Sequence, residues 1–233
     1  MLPDVPLTTS QVKKAGRTAR RFMRGEDVSE VEMNKALEII DRFRAAHQRP
    51  MVTANNGLRS MVRSEGCKVE VSQRLKRLPT ILDKLKREPH LALPNMQDIG
   101  GVRAVLESID EVRRVEARLK RNRAPVGYAD YITTPRSSGY RGVHVIVMYG
   151  DRQIEVQLRT RVMHTWAITV EKLSYRLNEN LKGDGKHAVQ DLMAAISRAV
   201  ALEESGEVVH GDLHSEITRL REIADPYLRG GHR

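Results

Sequence analysis

The stretch DYITTPRSSGYRGVHVIVMYGDRQIEVQLRT, residues 130–160, alternates apolar and polar side chains on either side of a Gly150-Asp151 pair. Successive side chains of a strand point to opposite faces, and a two-residue turn between two alternating runs makes a hairpin. With the turn at Gly150-Asp151, Tyr149 pairs with Arg152, Val147 with Ile154, Val145 with Val156 and Val143 with Leu158. That register gathers the apolar pairs on one face. The other face carries His144, Ile146 and Met148 from the first strand and Glu155, Gln157 and Arg159 from the second. His144 lies across from Gln157, with Glu155 and Arg159 beside it. A half-solvated antiparallel sheet accounts for such a face without any site. The loop ahead of it, PRSSGYRG, adds Arg136, Tyr140 and Arg141, with Gly139 and Gly142 allowing close backbone approach, a combination suited to a phosphate and a flat ring.

Outward from the hairpin, RLKRLPTILDKLKRE from Arg74 reads as a helix with Pro79 near its first turn, and DIGGVRAVLE as a short strand with paired glycines. SIDEVRRVEARLKRN returns to helical period through Ile109, Val112, Val115 and Leu119. Further helices are expected from about Arg161 to Leu177, near 187–204 and near 213–224. Toward the start, Ser10 is placed to cap a basic helix ending near Gly25. Ser29 is placed to cap EVEMNKALEIIDRFRAAHQ, with Met33, Leu37, Ile40 and Phe43 at helical spacing, and Pro50 to stop it. TANNGLRSMVRSEG reads as a further short helix. The order predicts an α/β (α+β) fold, a mixed β-sheet flanked by helices. A helical region over 1–70, a core over 71–178 and C-terminal helices over 179–233 divide it.

The chain has 233 residues, 40% of them hydrophobic, enough for a real core. Its 40 Lys and Arg against 30 Asp and Glu give a formal charge of +10, which favours polyanions in general and selects none. The single cysteine, Cys67, excludes an intrachain disulfide and a cysteine zinc site, and reads as a buried or half-buried thiol. No signal-peptide core opens the sequence and no run of about 18 apolar residues interrupts it, so a cytoplasmic protein without a membrane span is expected. Two Phe and one Trp leave base stacking to tyrosines or arginines.

Five blocks in fixed order, RLKRLPTILDKL, DIGGVR, DYITTPRSSGYRGVH, EVQLRT and MHTWA, resemble the synthetase domain of the RelA/SpoT family, particularly its small single-domain members. The resemblance runs from about Arg74 to Tyr175. It implies a nucleotidyltransferase-like core that moves the β,γ-pyrophosphate of ATP to a 3′-hydroxyl and releases AMP. The acceptor it implies is GDP or GTP, giving an alarmone, or the 3′-terminal adenosine of tRNA, blocking aminoacylation. Carried onto these positions, Asp98 holds Mg²⁺ and Glu155 shares the metal or takes the hydroxyl proton. Arg74 and Arg103 sandwich the adenine, and Lys76, Thr80 and Lys84 contact the triphosphate. On the acceptor side Tyr140 stacks on the base and His144 lies near its phosphates, with Arg136, Arg141, Gln157 and Arg159 as support or further contacts. Without the blocks, Asp98 reads as a cap, Lys76 and Lys84 as a solvated helix face, Tyr140 as a half-buried turn tyrosine and Trp166 as a core anchor.

Asp98 and Arg103 fall on opposite faces of a regular strand, so their common use requires a bulge at Gly100-Gly101 or a strand that begins later. Arg136, Ser138 and Gly142 replace the Lys, Asn and Ser usual in the family's acceptor loop, and Glu171 replaces a histidine, while Tyr175 keeps its place. Residues 1–70 lack a hydrolase metal pattern, so synthesis without degradation is expected. The basic runs KKAGRTARRFMRG and RRVEARLKRNR, with the altered loop, tilt the acceptor toward tRNA; the family as a whole points to the guanosine nucleotide. A noncatalytic RNA-binding relative is the competing class, set against the retention of both carboxylates. The terminal helices are free to serve a homo-oligomer or an antitoxin.

Overall fold

In the computed structural model, residues 6–181 and 187–229 are described; 1–5, 182–186 and 230–233 lie outside them. In chain order the elements are α1 (Thr9–Met23), α2 (Glu30–Ala45), α3 (Gln48–Ser64), β1 (Glu70–Leu75), α4 (Leu78–Arg87), β2 (Gly100–Leu106) and α5 (Ile109–Asn122). They continue with β3 (Gly127–Asp130), β4 (Val143–Tyr149), β5 (Arg152–Thr160), α6 (Arg161–Leu177), α7 (Ala188–Glu204) and α8 (Gly211–Arg229).

Local chemistry sets the helix ends. Ser29 caps α2 through a reciprocal box with Glu32, as its spacing requires. The cap of α1 is Thr8 and not Ser10: Thr8 accepts from the Gln11 amide while Gln11 returns a bond to the Thr8 backbone, so Ser10 falls inside the first turn. Pro50 does not stop α2. That helix ends at Ala45, and Pro50 lies in the first turn of α3, where no intrahelical partner for its nitrogen is required. The helix expected from Arg74 begins only at Leu78, with Pro79 in its first turn, because Arg74 belongs to strand β1. The final helix extends beyond 213–224 at both ends.

The five strands form one mixed sheet in the order β1-β2-β5-β4-β3. β2 and β5 run parallel and the other neighbours antiparallel. The hairpin register is the one the alternation demands, with His144 opposite Gln157 and Tyr149 opposite Arg152. One face of the sheet is apolar: Val71, Val102, Ala104, Val145, Val156 and Leu158 pack there against α3 and α5. Each fully buried valine or leucine of this set contributes roughly 1.5–3 kcal/mol, so a slip of one residue, which would turn this whole set to the polar face, is excluded. α1, α2 and α4 form a second cluster around Ile40, Ile81, Leu85 and Ile99. α6, α7 and α8 form a third around Trp166, Val170 and Ala195. The mixed sheet with flanking helices is the expected fold. Among the described residues no helix is long and apolar enough to cross a membrane.

Candidate active site

The polar face of the sheet is the floor of a cleft of about 680 Å³. Pairing puts its side chains in rows. Arg74, Gly101, Glu155 and Ile146 form one row across β1, β2, β5 and β4; Ser72, Arg103, Gln157 and His144 form the next. Gly101 therefore leaves open floor between the arginine and the carboxylate. α4 and the turn before β2 make one wall, and the loop before β4 the other.

Asp98 precedes β2, which starts at Gly100, so the strand begins late and the parity conflict with Arg103 does not arise. Its two oxygens are held by Lys76 at 2.8 Å and Lys84 at 3.0 Å. Lys76 comes from the segment joining β1 to α4; its backbone is fixed by bonds to Ile99 and Arg44. Burial pushes the Asp98 carboxyl up, but the two ammonium groups outweigh it and hold it below the usual range. Thr80 opens onto the same space. Arg74 and Arg103 both line the cleft, and Arg74 meets Glu171 on α6 at 3.7 Å.

Glu155 belongs to a closed ring of five side chains. His144 Nδ1 lies 2.8 Å from one Glu155 oxygen, and Gln157 Nε2 donates to the other at 2.6 Å. Arg159 donates to Gln157 Oε1 at 2.8 Å and to the Tyr140 hydroxyl at 2.7 Å. The Tyr140 hydroxyl and His144 Nε2, 2.5 Å apart, complete the circuit. Since Arg159 has no acceptor, the Tyr140 O–H is left to donate to Nε2, and Nδ1–H to Glu155. Burial raises the Glu155 carboxyl, and the bonds from His144 and Gln157 bring it below its ordinary value despite the nearby negative Asp98. Two ionised carboxylates thus face one cleft, among cations.

The residues expected on the acceptor side separate. Tyr140 is buried, 6% exposed, its ring wedged between Tyr131, His144 and Trp166. Arg136 lines the cleft, donates to the Tyr131 hydroxyl at 2.8 Å and lies 5.8 Å from the Tyr140 ring centre. Arg141 does not face the cleft. It turns to the opposite side, where Glu204 of α7 pairs with its guanidinium. Tyr175 points to solvent, 91% exposed, and Trp166 is the core anchor its type favours. Tyr131 is a residue that sequence reasoning misses, yet its ring meets His144 edge-on at 5.3 Å. Asp130 fixes it by accepting the Ile132 and Thr133 amides, an Asx turn that the DYITT run does carry.

Residues 73–180 match the family described as "Region found in RelA / SpoT proteins". The GTP pyrophosphokinase YjbM of Bacillus subtilis is 30% identical over 155 residues, covering 61% of this chain and 72% of that protein. A GTP pyrophosphokinase of Escherichia coli K12 is 27% identical over 160 residues, but only 21% of its length is matched. The crystal structure of small alarmone synthetase 1 from Bacillus subtilis bound to its product pppGpp superposes with a TM-score of 0.61 at 25% identity, covering 79% of this chain and 97% of that one. With four of the five motif blocks lining one cleft and the fifth, MHTWA, packed in the core behind it, these matches establish that the chain belongs to the RelA/SpoT family and shares the fold of its small synthetases.

Proposed function

We propose that the cleft transfers the β,γ-pyrophosphate of ATP to the 3′-hydroxyl of a guanosine nucleotide, GDP or GTP. The new bond joins the acceptor's 3′-oxygen to the β-phosphorus, the bond from that phosphorus to the α-phosphate oxygen breaks, and AMP leaves. The observation that carries the reading is the convergence of Asp98 and Glu155, both ionised, with Lys76, Lys84, Arg74 and Arg103 on one cleft. A site that only binds phosphate has no use for two carboxylates there. The relatives named GTP pyrophosphokinase and the relative bound to pppGpp support this choice of acceptor.

Glu155, kept ionised by its ring of partners, is the group to take the hydroxyl proton. Lys76 and Lys84, which neutralise Asp98, lie where they can pass to triphosphate oxygens. Arg74 and Arg103 lie diagonally on neighbouring strands, a geometry suited to holding a flat base. Two hard, ionised oxygen donors fit Mg²⁺, which Asp98 and Glu155 would hold. When bound, the ion draws charge from the triphosphate.

A second reading, the tRNA 3′ end as acceptor, rests on Arg136, Ser138 and Gly142 in the acceptor loop and on the +10 charge. Incubation with γ-labelled ATP, Mg²⁺ and either GDP, GTP or deacylated tRNA decides the matter. Label is expected in the guanosine nucleotide. Label in tRNA alone transfers the acceptor role to the polynucleotide, and label in none, with folded protein, removes the catalytic reading.

A further inference from the structure

Tyr140 closes the ring around Glu155, and both of its neighbours are tied to one helix that never touches the cleft. On one side, Ser197 Oγ–H donates to the Gly139 carbonyl at 2.6 Å. Gly139 has φ +86°, and its backbone runs so close to α7 that a Cβ there would lie 2.7 Å from Ala194 Cα. On the other side, the buried Arg141 pairs with Glu204 at 2.5 Å. The second Glu204 oxygen accepts the Thr160 hydroxyl, and Thr160 caps α6. Ser197 and Glu204 are seven residues apart, two helical turns, and so share a face of α7.

The helix itself is registered by Trp166, whose Nε1–H donates to the Met193 carbonyl at 2.8 Å. A cavity of about 580 Å³ lies beside the loop, bordered by Ser137, Gly139, Arg141, Ala194, Ser197 and Leu220. Cutting a tie therefore gives the loop room to shift. Neither Ser197 nor Glu204 lines the cleft, so their influence on transfer passes through the loop that carries Tyr140 and, for Glu204, also through Thr160 beside Arg159.

We infer that Ser197 and Glu204 are positioning residues that clamp the acceptor loop and so set Tyr140, and with it the acceptor side of the cleft, against Glu155. The inference rests on the reading of that side as the acceptor subsite. It separates the two substrates: Arg74, Lys76, Lys84 and Arg103 sit on elements that α7 does not hold.

Two measurements test it on Ser197→Ala and Glu204→Gln. Hydrogen exchange of the 136–142 segment should quicken, since the Gly139 and Arg136 amides are bonded within the loop. Exchange within α7 should stay as in the parent. In the transfer assay the acceptor KM should rise about tenfold and the ATP KM change less than about twofold, the effect of one lost buried bond. Arg141→Met with Glu204→Leu removes both buried charges together and guards against a variant that fails only because Arg141 is left unpaired; it should behave as Glu204→Gln does. Unchanged loop exchange, or acceptor and ATP constants rising in parallel, overturns the clamp. If the parent protein transfers to no acceptor, the proposed function falls, and the exchange data alone decide whether α7 positions the loop.

Discussion

At the scale of single residues, the ring of Glu155, His144, Tyr140, Arg159 and Gln157 explains why so many polar side chains share one hairpin face. Each satisfies the next, so a carboxylate is kept ionised in a place where burial alone would protonate it. Replacing Glu155 by Gln removes the charge and a proton acceptor while keeping the shape. Transfer should fall by at least about a hundredfold, the scale of a lost general base. ATP binding, measured by titration with a nonhydrolysable analogue, should stay within about threefold because the cations are untouched. Full activity in that variant would remove Glu155 from the chemistry. The alternation and the Gly150-Asp151 turn make this face legible in the sequence itself. The metal-binding role proposed for Asp98 rests on resemblance, since nothing local distinguishes a metal-binding aspartate from a capping one. The turning of Arg141 toward α7 follows from a contact across 63 residues that no local pattern carries.

At the scale of elements, the same logic shows why two strands are hidden in the sequence. β1 buries only Val71 fully, and β3 is four residues with none buried. Both are edge strands, where one side of the ladder is open and apolar alternation is not required. Arg74 reads as helical because Leu75, Leu78 and Leu82 follow at helical spacing. The junction of α2 and α3 carries a different lesson. His47 caps nothing with its side chain; it is buried, and its Nδ1–H donates to the Phe43 carbonyl at 2.9 Å. Burial lowers its pKa from 6.5 to about 4, against the Phe43 bond, which favours the proton. The unfolded chain then binds a proton that the folded chain refuses. This contribution to stability is complete above pH 6.5 and is lost progressively as the pH falls toward 4. The loss is on the order of 3 kcal/mol. Urea unfolding of His47→Gln should show a correspondingly flatter pH profile across that window. An unaltered profile would assign the acid sensitivity to other groups.

At the scale of the whole molecule, the +10 charge is less available to a polyanion than its size implies. In the run RRVEARLKRNR, Arg113 pairs with Glu116 and Asp130, Arg114 with Asp110, Arg118 with Glu65 and Lys120 with Glu116. Arg123 lies over the Tyr149 ring. Arg113 to Asp130, Arg118 to Glu65 and Arg123 over Tyr149 tie α5 to its surroundings and the other pairs lie within the helix, so a run that reads as a binding patch is largely engaged with the protein itself. A mononucleotide acceptor meets only the cleft cations and releases few counterions. A polynucleotide that contacts six or more phosphates loses about a thousandfold in affinity between about 50 and 200 mM salt. The acceptor KM measured across that range should therefore rise less than about tenfold with GDP or GTP. A steep fall confined to tRNA, together with tRNA labelling at low salt, would show that basic surface beyond the cleft takes part in acceptor capture.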